Sequence, residues 1–166
     1  MLPKSVLKIL EQEETNNTGK VVSEDEAKET MRKQGCSEEY ITKVFTSPEK
    51  KLKDLGISEE TTFYEFYTNI GFIPIGQGEE LHTLDEIVNE KESQFHEDEY
   101  PGIYDRFLQI SSIEGEGSYF YEIATDIVYD THWGEEESMM TGTLNSKWPD
   151  FYSFLEWYFS EEENNV

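Results

Sequence analysis

Carboxylates dominate the residues of this chain that could do chemistry. Its 166 residues carry 37 Asp and Glu against 13 Lys and Arg, a formal charge of -24. Two carboxyl groups flanking a substrate bond are the machinery of a glycosidase, one as acid and one as base or nucleophile. The candidate clusters, Glu97-Asp98-Glu99, Glu135-Glu136-Glu137 and Glu161-Glu162-Glu163, suit that task poorly. A general acid needs an apolar pocket to raise its pKa, whereas runs of like charge are usually solvated faces. No catalytic residue is assigned, and a carboxylate hydrolase stands last among three functional readings.

The other reactive side chains are few. His82, His96 and His132 are the only imidazoles, and Cys36 is the only thiol. No histidine stands four residues from another or within a Cys/His cluster, so the spacing gives no zinc site. No Asp-x-Asp-x-Asp-Gly run offers a calcium loop. Gly115-Glu116-Gly117 lacks the third glycine of a nucleotide loop, and Glu116 would repel phosphate, so these residues read as a hairpin turn. Cys36 reads as a small core or surface residue. Neither metal nor cofactor is expected.

The placement of charge says more than its size. Residues 1–53 hold ten basic and ten acidic side chains, while residues 54–166 hold 27 acidic ones against Lys91, Arg106 and Lys147 alone. Such a surface repels nucleic acid and acidic membranes and speeds encounter with a basic partner. Solubility alone also accounts for it. No apolar run approaches a membrane span, and the first residues lack the apolar core of a secretory signal. A lone cysteine allows no internal disulfide. Together these point to the cytoplasm.

The elements that must position these residues are organised around Arg106–His132. Apolar runs at Phe107–Ile113, Tyr119–Ala124 and Ile127–Tyr129 are rich in aromatic and β-branched residues and separated by Gly- and Asp-bearing turns, Glu114-Gly115-Glu116-Gly117 among them. That pattern predicts a three-stranded antiparallel meander with one face covered by helices. Phe72–Ile75 reads as a further short strand before a Gly76-Gln77-Gly78 loop, and Met139–Leu144 as a fourth strand. Helices are predicted over Ser5–Glu14, after Ser23, after Ser37, over Pro48–Leu55, over Glu59–Ile70 after Ser58, after Thr83, and over Pro149–Phe159. Ser23 with Glu26 and Thr83 with Glu86 form capping-box patterns. Phe63, Phe66, Tyr67 and Ile70 share one face of their helix, as do Phe151, Phe154, Leu155 and Tyr158. The tail Ser160–Val166 reads as frayed. The fold class is therefore α+β, an antiparallel sheet flanked by helices. A helical segment is added at residues 1–47, set off by a polar break at Thr15–Lys20 and by its balanced charge, and the α+β unit occupies residues 48–166.

Several stretches resemble the SUKH superfamily. Pro48-Glu49-Lys50-Lys51-Leu52-Lys53-Asp54-Leu55-Gly56 before Thr62-Phe63-Tyr64-Glu65-Phe66-Tyr67-Thr68-Asn69-Ile70-Gly71 is similar to that family's opening. Leu81–Ile87 resembles its short helix, and Asp150-Phe151-Tyr152-Ser153-Phe154-Leu155-Glu156-Trp157 its closing one. Arg106–Ile110, Tyr119–Ile123 and Ile127–Tyr129 resemble its strands. The family's usual Leu-Pro is Ile57-Ser58 here, and residues 1–47 have no counterpart. The resemblance implies an α+β domain that acts by binding. Bacterial members are mostly immunity proteins that block a toxin, often a nuclease, and eukaryotic relatives are regulatory interaction scaffolds.

The leading expectation is accordingly an acidic immunity protein without catalysis of its own, bound to the basic toxin domain of a bacterial polymorphic toxin. A regulatory scaffold is the alternative. The expected partner-binding residues are Glu97, Asp98, Glu99, Trp133, Glu135, Glu136 and Glu137, all in predicted loops, where binding residues commonly sit. Against that role stand plain solvation for the six acids and core packing for Trp133.

Overall fold

A computed structural model describes residues 1–16, 22–70, 81–112 and 117–163. The expected strand Phe72–Ile75, the Gly76–Gly78 loop, most of the Thr15–Lys20 break, turn residues 113–116 and the last residues 164–166 lie outside that description. The fold is α+β: nine helices and a four-stranded antiparallel open sheet among the described residues.

The sheet runs in the order β1 (Phe107–Gln109), β2 (Gly117–Glu122), β3 (Val128–His132) and β4 (Lys147–Trp148). Phe120 stands opposite both Gln109 and Tyr129, which fixes the register. The meander is therefore as the turn signals predicted. Gly117 opens β2 rather than closing the turn. A Cβ there would lie 2.2 Å from the Thr131 carbonyl oxygen, so only glycine fits this approach.

Both faces of the sheet are buried, where the sequence suggested one. Leu108, Ile110, Tyr119, Tyr121 and Val128 face a large core built with α5 (Thr62–Ile70), α6 (Leu84–Ser93) and α9 (Phe151–Glu163). Phe107, Phe120 and Tyr129 face a smaller core with Ile103, Tyr104, Met139 and Leu144. Double burial explains why Tyr119-Phe120-Tyr121 is a continuous aromatic run rather than an alternation.

Local signals set most helix ends. Ser23, Ser37 and Ser47 each accept an amide at the start of α2 (Glu24–Lys33), α3 (Glu38–Phe45) and α4 (Pro48–Asp54). Thr83 and Glu86 complete a reciprocal capping box on α6. Gly56, at φ +82°, follows the end of α4 in the left-handed conformation. α5 starts later than expected, at Thr62, because Thr61 Oγ1 rather than Ser58 accepts the Tyr64 amide at 3.1 Å. Its stripe Phe63, Phe66, Tyr67 and Ile70 is buried as predicted. In α9 the buried residues are Phe151, Phe154, Leu155 and Phe159, with Tyr158 half-buried, and the helix continues through residues read as a frayed tail.

The expected fourth strand Met139–Leu144 is not formed. Glu136–Met140 is a short helix, α8, ended by Gly142 at φ +79°, and the fourth strand is Lys147–Trp148 instead. Burying Met139 and Leu144 on the second sheet face satisfies their apolarity without strand pairing. A second short helix, α7 (Ile103–Arg106), leads into β1 and was not foreseen.

The division at residue 47 does not follow the packing of α1 (Lys4–Asn16). α1 lies against α9, and Leu2 and Val6 are buried in the larger core. By contrast α2 has no buried residue, and α3 has only Ile41.

Candidate partner-binding surface

The seven expected binding residues fall on two connections that cover the second face of the sheet. Glu97, Asp98 and Glu99 lie in the turn-rich segment between α6 and α7. Trp133 and Glu135 lie between β3 and α8, and Glu136 and Glu137 form the first turn of α8. Tyr100 ties the two together. It packs against the smaller core, and its hydroxyl is pushed up to about 12 by burial first, then by the carboxylates of Glu136 and Glu99.

The structure divides the acids by role. Asp98, Glu99 and Glu137 are exposed. Glu97 Oε1 accepts the Gly102 amide at 2.7 Å and closes its own loop, with Gly102 at φ +82°. Glu135 Oε2 accepts the His132 amide at 3.0 Å. Glu136 is only 4% exposed, and its Oε2 accepts the Gly134 amide at 2.9 Å. Glu136 is therefore a brace inside the turn, contrary to its expected place on the binding surface. Its carboxylate folds back onto an amide of its own tight turn, a charge-assisted bond worth more than a neutral one.

Trp133 resolves the other way. It is 54% exposed rather than packed in the core. Phe95, at 63% exposure, is an aromatic on the first connection that sequence reasoning missed. Its only signal was that it breaks the polar run Ser93–Gly102 without any apolar periodicity.

Beneath these loops polar contacts hold the scaffold. Gln109 Nε2 donates to the Ser111 carbonyl at 3.0 Å, which leaves Gln109 Oε1 facing His96 Nε2 at 3.1 Å. That orientation requires the proton on Nε2, since an amide oxygen accepts only. His96 is buried between Phe95, Tyr104 and Phe120 and so pins the first loop to the sheet. Arg106 donates to the Met140 carbonyl at 2.8 Å and to buried Glu122 at 3.0 Å, fastening α8 to β2. One of the few cations of residues 54–166 is thereby committed within the fold.

No group of three or more His, Cys, Asp or Glu among the described residues is arranged to hold a metal ion. Cys36 is half-buried between α2 and α3, and no described helix is long and apolar enough to cross a membrane. No family profile, curated protein or solved structure matches the chain.

Proposed function

We propose that this chain is an acidic binding protein that neutralises a basic partner, in the manner of an immunity protein set against a nuclease-type toxin. The observation that carries the reading is the imbalance of residues 54–166, 27 acidic side chains against three basic ones. Asp98, Glu99 and Glu137 stand exposed on two neighbouring connections, together with the rings of Phe95 and Trp133. Acids steer a basic surface into place, and aromatic contacts then hold it. The resemblance to SUKH proteins supports the same reading, because nuclease domains are basic where they grip phosphate.

The experiment is binding to the product of the neighbouring gene, followed by stopped-flow kinetics at several salt concentrations. Charge attraction reaches about 10 Å at 0.1 M salt and about 3 Å at 1 M, so association should slow steeply while dissociation changes less. Asp98→Lys with Glu137→Lys, both exposed, should lower the on-rate more than it raises the off-rate. Glu135 and Glu136 are left intact because they brace the turn. An on-rate indifferent to salt and to these reversals sinks the steering reading.

A further inference from the structure

Resting on that reading, we propose that Trp133 is the anchor of the partner surface: its indole face takes an arginine side chain of the partner protein. Trp133 stands at the tip between β3 and α8 with 54% of its surface open. Exposing the largest apolar side chain gains nothing for folding.

The turn beneath the ring is built to stay in place. Gly134 adopts φ +89°, and its amide donates to Glu136 Oε2 at 2.9 Å. The His132 amide donates to Glu135 Oε2 at 3.0 Å, and the Glu135 amide donates back to the His132 carbonyl at 3.0 Å. A side chain on a pre-ordered turn loses little freedom on binding, which favours it as a hot spot.

Charge selects what the indole meets. No Lys or Arg occurs anywhere in residues 107–146, while Asp130, Glu135 and Glu137 lie within four residues of Trp133. A cation over an indole is the strongest of the side-chain cation–π pairs. Arginine suits the site better than lysine, because a planar, weakly hydrated guanidinium stacks on the ring while its edge pairs with carboxylates. Among the described residues, Tyr40 and Phe95 are also exposed, and they fit less well. Phe95 has the poorer face and already packs nearly at right angles to His96, with centroids 5.0 Å apart, and Tyr40 lies in the charge-balanced residues 1–53.

The test uses the full, isotope-labelled chain with a hexa-arginine peptide as probe and hexa-lysine as comparison, at low and at moderate salt. The indole N–H resonance of Trp133, assigned through Trp133→Phe, should shift on titration with hexa-arginine. Trp133→Ala should weaken hexa-arginine binding about two- to thirty-fold with an unchanged circular dichroism spectrum, Trp133→Phe should retain part of it, and hexa-lysine should bind more weakly. Binding that is unchanged in Trp133→Ala and perturbs only Glu97–Glu99 or Phe95 overturns the anchor and leaves the acidic-surface reading standing. Absence of binding at either salt concentration overturns both.

Discussion

At the scale of single residues, carboxylates of identical chemistry do different work according to the amides within reach. Glu136→Ala should destabilise the protein by about 1–3 kcal/mol, because the charge-assisted bond from the Gly134 amide to the buried Glu136 carboxylate is lost. Glu137→Ala, one residue on and exposed, should move the denaturant midpoint hardly at all. Asp126 gives a pH signature. It sits at φ +65° in the β2–β3 turn, accepts the Tyr121 hydroxyl at 2.9 Å and the Phe151 amide at 3.4 Å, and is half-buried. Burial raises its pKa above the ordinary value, assisted by Asp150 and opposed by the two hydrogen bonds. A carboxyl raised by folding contributes stability below its unfolded pKa of about 3.9 and loses it as pH climbs through the folded value. Asp126→Asn, which tolerates the left-handed conformation, should therefore gain on wild type as pH rises from about 4 and hold a constant difference above that window. Chemical denaturation of both proteins across pH measures it. A difference that is flat from pH 4 upward would contradict the buried-acid account.

At the scale of elements, the helices meet the sheet through aromatic rings. Phe63 of α5 stacks on Tyr121 of β2 with centroids 4.1 Å apart and lies 4.8 Å from Phe151 of α9. Phe154 packs on Tyr119 at 5.2 Å. Phe66→Ala and Phe154→Ala should each cost about 3–5 kcal/mol, the lost transfer energy plus the cavity left behind, seen as lower denaturant midpoints. Tyr64→Ala on α5, half-buried at the core margin, should cost less. The helix faces were legible because a 3.6-residue period needs only the chain itself. Met139–Leu144 misled because a short apolar stretch has no period of its own, and here Gly142 ends a helical turn.

At the scale of the whole molecule, α1 closes the larger core from the end of the chain that the charge pattern set apart. Val6 is fully buried there, so Val6→Asp should cost about 3 kcal/mol or more and lower the unfolding midpoint of the whole sheet domain, followed by tryptophan fluorescence. Lys28→Glu on α2, which has no buried residue, should leave that transition nearly in place. A Val6→Asp protein with a wild-type transition would instead favour residues 1–47 as an independent segment.

What the sequence determined by itself was local or additive. Caps, helix faces, strand runs and the sum of charge each depend on neighbours along the chain, so Ser37, Thr83, the Phe63–Ile70 stripe and the acidity of residues 54–166 could be read directly. The tertiary structure decided what depends on partners far along the chain. Covering both sheet faces makes Glu136 a buried brace, commits Arg106 to Glu122 and the Met140 carbonyl, and leaves the Trp133 indole at the surface. Whether an acid or a ring is inside or outside follows from which backbone amides and which apolar faces the fold brings against it, and no spacing along the chain encodes that.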